Sequence, residues 1–178
     1  DHILASRVLT INTPSVNITF PNGGETLIAG MNYTISWNAS DLDGDNLTYT
    51  LAYSEDGGEN WIPLAINLNQ TSYVWDTRYL QKGSDYLVKV IATDGVNTGE
   101  DASDGTFAVK VHDVATANVT SSKTIVGQGY NQRINVTITN GGDFTETFNV
   151  TVYANTTIID TITNITLANG SSTTITFT

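Results

Sequence analysis

Six tripeptides in this chain repeat one arrangement, an asparagine, an aliphatic residue and a threonine: Asn17-Ile-Thr, Asn46-Leu-Thr, Asn118-Val-Thr, Asn135-Val-Thr, Asn149-Val-Thr and Asn164-Ile-Thr. Each is a minimal two-residue alternation. On a β-strand, successive side chains point to opposite faces, so the aliphatic residue turns to a core while Asn and Thr face out. The same alternation, broken by turn residues, recurs along all 178 residues, and helical periodicity is absent. The chain is therefore expected to be all-β, built of antiparallel sandwiches.

Strands are expected near 15–20, 31–38, 47–54, 60–66, 71–76, 85–93 and 105–111. Between them lie Pro21-Asn-Gly-Gly, the segment 41–45, Asp56-Gly-Gly and Gln81-Lys-Gly-Ser, all rich in turn formers, and Thr93-Asp-Gly opens a longer acidic loop. Seven strands in about 97 residues is the size of an immunoglobulin-like sandwich. A second set follows near 114–119, 124–126, 132–139, 146–153, 157–162 and 172–178. The organisation read from this is an N-terminal strand at 1–13, a sandwich at 14–111 and a second, incomplete sandwich at 112–178. Phe107 through Val114 passes between the sandwiches without Gly or Pro, which implies a semi-rigid pair.

The chain has no cysteine, so disulfides and thiolate metal sites are excluded and each sandwich depends on its apolar core. A net charge of −11 makes nucleic acid an unsuitable partner. The acids are uneven, with thirteen against four bases in 14–111 and four against two in 112–178. No apolar run is long enough to span a membrane.

Eleven of the eighteen asparagines begin an Asn-x-Ser/Thr sequon: Asn17, Asn32, Asn38, Asn46, Asn69, Asn118, Asn135, Asn149, Asn155, Asn164 and Asn169. The transferases that modify such triplets act on exported chains, so the excess points to an extracellular, cell-surface glycoprotein carrying N-linked glycans. Thr and Asn are also common on the outer faces of secreted β-domains, which is the competing explanation. Occupancy is expected to be highest at outward strand positions such as Asn135 and Asn149.

Residues 14–111 resemble a fibronectin type III domain. The resemblance is carried by Trp37 in Thr34-Ile-Ser-Trp, Tyr53 in Leu51-Ala-Tyr, and the run from Leu80 to Ala92, in which Tyr86, Val88, Val90 and Ala92 alternate inward. It implies a tyrosine corner at Tyr86. Residues 112–178 resemble the CARDB family of cell-adhesion-related sandwiches, through His112-Asp-Val, the run Ile134 to Asp143, Phe148 to Tyr153, and Leu167 to Phe177. Both resemblances are to modules of archaeal and bacterial surface proteins. The second implies two further strands, which this chain lacks, and so an exposed sheet edge. The segment 3–11 is a spare apolar strand, with Ile3, Leu4, Ala5, Val8, Leu9 and Ile11 as assembly residues. It reads either as a donor strand for a neighbouring copy or as the last strand of a preceding domain in a longer tandem protein.

Asp41, Asp43 and Asp45 place three carboxylates at alternate positions, a spacing suited to Ca²⁺, which takes six to eight oxygen ligands. The resemblance brings the loop at 94–104 to the same pole, so Asp94, Glu100, Asp101 and Asp104 are expected to gather with them. A turn satisfied by Asp, Asn and Gly is the alternative, and calcium is the one cofactor suggested. The segment Ser54 to Trp61 resembles the Asp-box hairpin of sialidase-like proteins, read here as structural. Trp37 and Trp75 read as core, leaving Trp61 as the one candidate for sugar stacking. His2 and His112 are the only histidines, and His112 reads as ordering the domain junction, so no catalysis is expected. The function expected is a structural subunit of a surface layer, sheath or filament, assembled end to end with copies of itself or joined to neighbouring domains of a longer surface protein. Spacer or anchoring modules of a secreted enzyme, or an adhesin for surface glycans or proteins, are the alternatives.

Overall fold

Tyr86, Val88, Val90 and Ala92 are each buried to within 1% of full coverage, while Leu87, Lys89 and Ile91 between them stay partly open. This is the alternation of a strand that packs one face on a core. In the computed structural model, which describes residues 12–123, 127, 129 and 131–178, every element is a β-strand. The chain divides into two compact units, at Asp1–Val109 and Lys110–Thr178.

Among the described residues the first unit contains β1 (Ser15–Phe20), β2 (Thr26–Ile28), β3 (Asn32–Ser40), β4 (Thr48–Ser54), β5 (Ile62–Leu68), β6 (Ser72–Asp76), β7 (Gly83–Thr93), β8 (Thr98–Ala102) and β9 (Phe107–Lys110), the last ending one residue past the division. One sheet runs β1-β3-β6, and the other runs β2-β9-β7-β4-β5, with β8 also on β7. Ile18, Ile35, Trp37 and Trp75 from the first sheet meet Leu51, Tyr86, Val88, Val90 and Phe107 from the second. Aromatic edges lock the layers, with Trp37 at 5.3 Å and 70° to Tyr49, and Trp75 at 6.4 Å and 86° to Phe107. The Tyr86 hydroxyl donates to the Gln81 carbonyl at 2.7 Å, which ties the chain before β7 to the strand, as the tyrosine-corner expectation requires. Burial pushes that phenol up to about 12.

Two strands lie where alternation gave no signal. β2 is only three residues long. β8 reads Thr-Gly-Glu-Asp-Ala and was expected to be loop. It is a strand because its backbone pairs with β7 from Thr93↔Thr98 to Lys89↔Ala102, not because of an apolar face. Gly99 permits its position, since a Cβ there would lie 1.9 Å from the Pro14 carbonyl oxygen.

The second unit contains β10 (Val114–Ser121), β11 (Ile134–Asn140), β12 (Glu146–Ala154), β13 (Thr157–Leu167) and β14 (Ser172–Phe177). The sheet β10-β11-β14 packs on the two-stranded sheet β12-β13. Among the described residues its buried apolar set is Val136, Ile138, Leu167 and Phe177, against fourteen such residues in the first unit, so the core they form is thin. Buried Asn140 braces it. Its Nδ2 donates to the carbonyls of Phe144 (2.8 Å) and Leu167 (2.9 Å), and its Oδ1 accepts from the Gly142 amide (3.1 Å). The strand expected at 124–126 and the N-terminal strand at 3–11 lie outside the described residues.

Candidate functional site

The acidic pole forms only in part. Asp41, Asp43 and Asp45 bring carboxylate oxygens within 4.8 Å of one another, the one such acidic group among the described residues. Asp41 Oδ1 accepts from the Asp43 amide at 2.8 Å, the bond of an Asx turn, and Asp41 Oδ2 is shielded without a bonding partner. Both oxygens of Asp43 are used by Asn12, one accepting from its backbone amide and the other from its side-chain Nδ2, each at 2.8 Å. Asn97 Nδ2 donates to the Asn12 carbonyl at 3.1 Å, so the chain entering β1 is clamped from two loops.

Asp94, Asp101 and Asp104 do not join this trio, contrary to the expected convergence. Asp94 caps its own turn, accepting from the amides of Asn97 and Val96 at 2.6 Å each, and these bonds hold its pKa below the usual carboxylate value. Asp101 accepts from the Ile18 amide at 2.7 Å, and Asp104 accepts from Asn22 Nδ2 at 2.7 Å. The reason is β8. Pairing with β7 carries the chain away from the pole at about 3.3 Å per residue, so Asp101 and Asp104 land farther along the sheet, while Asp94 stays in the turn before β8 and is used by that turn's own amides. Among the described residues, the acidic cluster the fold offers a hard cation is this trio, and both oxygens of Asp43 are already engaged by Asn12.

The Asp-box-like segment is a hairpin turn. Asp56 accepts from the Asn60 amide, Asn60 Nδ2 and Ser54 Oγ, at 2.9, 2.6 and 2.7 Å, and these bonds hold its pKa down at about 2. Trp61 beyond it is half-buried and carries the Lys89 ammonium 4.4 Å from its ring centre, so its face is taken by a cation. Trp37 and Trp75 are core, at 2% and 3% exposure. His112 stacks on Phe144 at 4.4 Å, and its Nδ1 meets Glu146 Oε1 at 2.5 Å, which fastens the start of the second unit to β12.

Ten of the eleven sequon asparagines are exposed, and Asn135 is half-buried. The outer faces hold them among cross-strand hydroxyl pairs: Thr19–Ser36, Thr137–Thr174, Thr147–Thr166 and Thr151–Thr161, at 2.9 to 3.1 Å. Asn17 stands directly opposite Asn38, and Asn149 Oδ1 accepts from the Asn164 amide at 3.0 Å across a bulge where Asn164 takes a φ of 57°.

The second unit has an open side. Both β10 and β12 pair on one edge only among the described residues. Between them lies a groove of about 390 Å³, lined by Val114, Thr116, Ile138, Phe148 and Val150. Among the described residues no strand stands across from the inward face of β10, and Val114 and Val119 are 39% and 58% exposed. No helix among the described residues is long and apolar enough to cross a membrane.

Geometry of this kind, two layers of antiparallel sheet in each unit, defines an immunoglobulin-like β-sandwich protein. Among solved structures, a chimeric titin Z1Z2 functionalised with a KLER exogenous peptide from decorin is similar at 13% identity and a TM-score of 0.32, over 93% of this chain and 96% of that one. No family model matches the chain, and comparison with curated proteins gives no significant match.

Proposed function

We propose that this chain is a structural subunit of an extracellular, N-glycosylated surface assembly, in which a strand from another copy completes the second unit. The observation that carries this is the uncovered inner face of β10 beside the unpaired edge of β12. A strand added to β12 would satisfy a row of edge amides and carbonyls and cover Val114, Thr116 and Val119. The segment 3–11 suits the position: it spans nine residues, as β12 does, and six of them are apolar. The clamp on Asn12 gives that segment a fixed point of departure from the first unit. Glycans on the flat outer faces would leave edges and poles free for contact.

The test removes residues 1–11, keeping Asn12. Polymer length is followed by electron microscopy and sedimentation, and protease resistance of the second unit by mass spectrometry. Loss of polymer, with resistance restored by a synthetic peptide of residues 3–11, supports the reading. Unchanged assembly overturns it and leaves the spacer-module or adhesin alternatives, in which following or neighbouring chain supplies the missing strand.

A further inference from the structure

Asn135, Val136 and Thr137 form a sequon on β11, the central strand of its sheet, and all three residues are paired on both sides. On one side the opposing residues are a second sequon in antiparallel register. Asn118 faces Thr137, Val119 faces Val136, and Thr120 faces Asn135. On the other side stand Thr174, Ile175 and Thr176. No other sequon among the described residues is enclosed in this way. Those on β1, β10, β12 and β13 lie on strands paired along one edge. The two on β3 are paired on one side across their length, Asn32 to Thr34 with β6 and Asn38 to Ser40 with β1. Asn46, Asn69, Asn155 and Asn169 lie outside strands.

The reacting groups of the Asn135 sequon are engaged as well. Thr176 Oγ1 donates to Asn135 Oδ1 at 2.8 Å, and the hydroxyls of Thr137 and Thr174 share a bond of 3.0 Å. In N-glycan transfer, the asparagine Nδ2 attacks the anomeric carbon of a sugar carried on a lipid diphosphate. The new carbon–nitrogen bond forms as the carbon–oxygen bond to the diphosphate breaks. That electron pair leaves with the lipid diphosphate, and one Nδ2 proton passes to a base of the transferase. The Nδ2 lone pair is delocalised into its carbonyl, so the enzyme must grip both the amide and the hydroxyl two residues on, with the peptide drawn into its cleft. A loop can be drawn out. A central strand cannot, unless two hydrogen-bonded ladders break and Val136 and Ile138 leave the core.

We infer that Asn135 is a glycosylation site open only before the second unit folds, whereas the turn sequons Asn46, Asn69 and Asn169 remain substrates of the folded protein. This rests on the glycoprotein part of the reading above and is independent of strand exchange. A glycan added in time is tolerated, because the outward cross-strand positions flanking Asn135 are Asn118, Thr120, Thr174 and Thr176, all small side chains. A chain that folds before it meets the transferase lacks that glycan. Occupancy at Asn135 therefore records the order of modification and folding.

The test uses unmodified full-length chain, a purified single-subunit oligosaccharyltransferase and its lipid-diphosphate-linked oligosaccharide, with occupancy at each sequon read by peptide mass spectrometry. Folded chain should be modified at Asn46, Asn69 and Asn169. Asn135 should lag by about a hundredfold or more, since its reactive population is the opened fraction of the unit. Ile138→Asp leaves the Asn135 sequon intact but puts a charge in the core, so the same reaction should then modify Asn135 at a rate comparable to the turn sites. Equal modification of Asn135 in the folded wild-type chain, or refusal of Asn135 in Ile138→Asp while the turns react, overturns the inference. Refusal of every sequon in both chains overturns it together with the glycoprotein reading.

Discussion

Val119 on β10 is paired with Val136 on β11 and faces the same side of the sheet, yet Val136 is 4% exposed and Val119 is 58% exposed. The two side chains are chemically identical and one strand apart. They differ in what stands across from them: β12 and β13 cover β11 but do not reach over β10. The boundary between closed core and open groove runs between these two residues.

This difference predicts opposite outcomes for one substitution. Val136→Asp places an unpaired charge in the thin core and should unfold the second unit, at a cost on the order of 3–5 kcal/mol. Val119→Asp should alter the isolated subunit by no more than about 0.5 kcal/mol, because the site is already wet. The same Val119→Asp change should abolish assembly, measured by sedimentation velocity beside a urea titration.

Tyr86→Phe removes the hydroxyl that meets the Gln81 carbonyl and nothing else from the core. The first unit should lose about 1–1.5 kcal/mol, read from its urea midpoint with unchanged slope, while the second unit's transition stays in place.

Asn140→Ala should cost on the order of 3 kcal/mol. It removes the donor to the carbonyls of Phe144 and Leu167 and the nearer acceptor of the Gly142 amide, which keeps the Asp113 carbonyl at 3.3 Å, inside a unit with few apolar residues to compensate. Asn140→Asp should be no better, because a carboxylate offers no donor to two carbonyls. Amide exchange across residues 134–177 is the measurement, with the first unit as the internal control.

Asp56 gives the acid limb of stability a defined source. Its folded pKa is held down at about 2 from 3.8, so its contribution is full above the unfolded value and is lost as pH falls towards the folded one. The window is about pH 4 to pH 2. Asp56→Asn should lower stability at neutral pH and flatten the dependence across that window, followed as urea midpoints of the first unit at stepped pH.

The alternation of Tyr86, Val88, Val90 and Ala92, or of Asn135, Val136 and Thr137, is a local property of consecutive residues, so the sequence alone determined that the chain is all-β, where most strands run and which faces they turn outward. The tie from Tyr86 to the loop before its strand came from the resemblance to a fibronectin type III domain, and the Tyr86 hydroxyl meets the Gln81 carbonyl in that loop. β8 was not legible, since a strand such as Thr-Gly-Glu-Asp-Ala is defined by hydrogen bonds to β7 and carries no apolar face of its own. For the same reason the fate of Asp101 and Asp104 was decided by tertiary structure: pairing of β8 with β7 carries them along the sheet to donors from Ile18 and Asn22, whereas Asp94 is used by its own turn. The fate of Val119 was decided there too. Its triplet matches that around Val136 in every residue, and among the described residues it is the reach of the facing sheet that separates a core position from an open one. Local pattern fixes which way a side chain points, and burial depends on what the rest of the chain places in front of it.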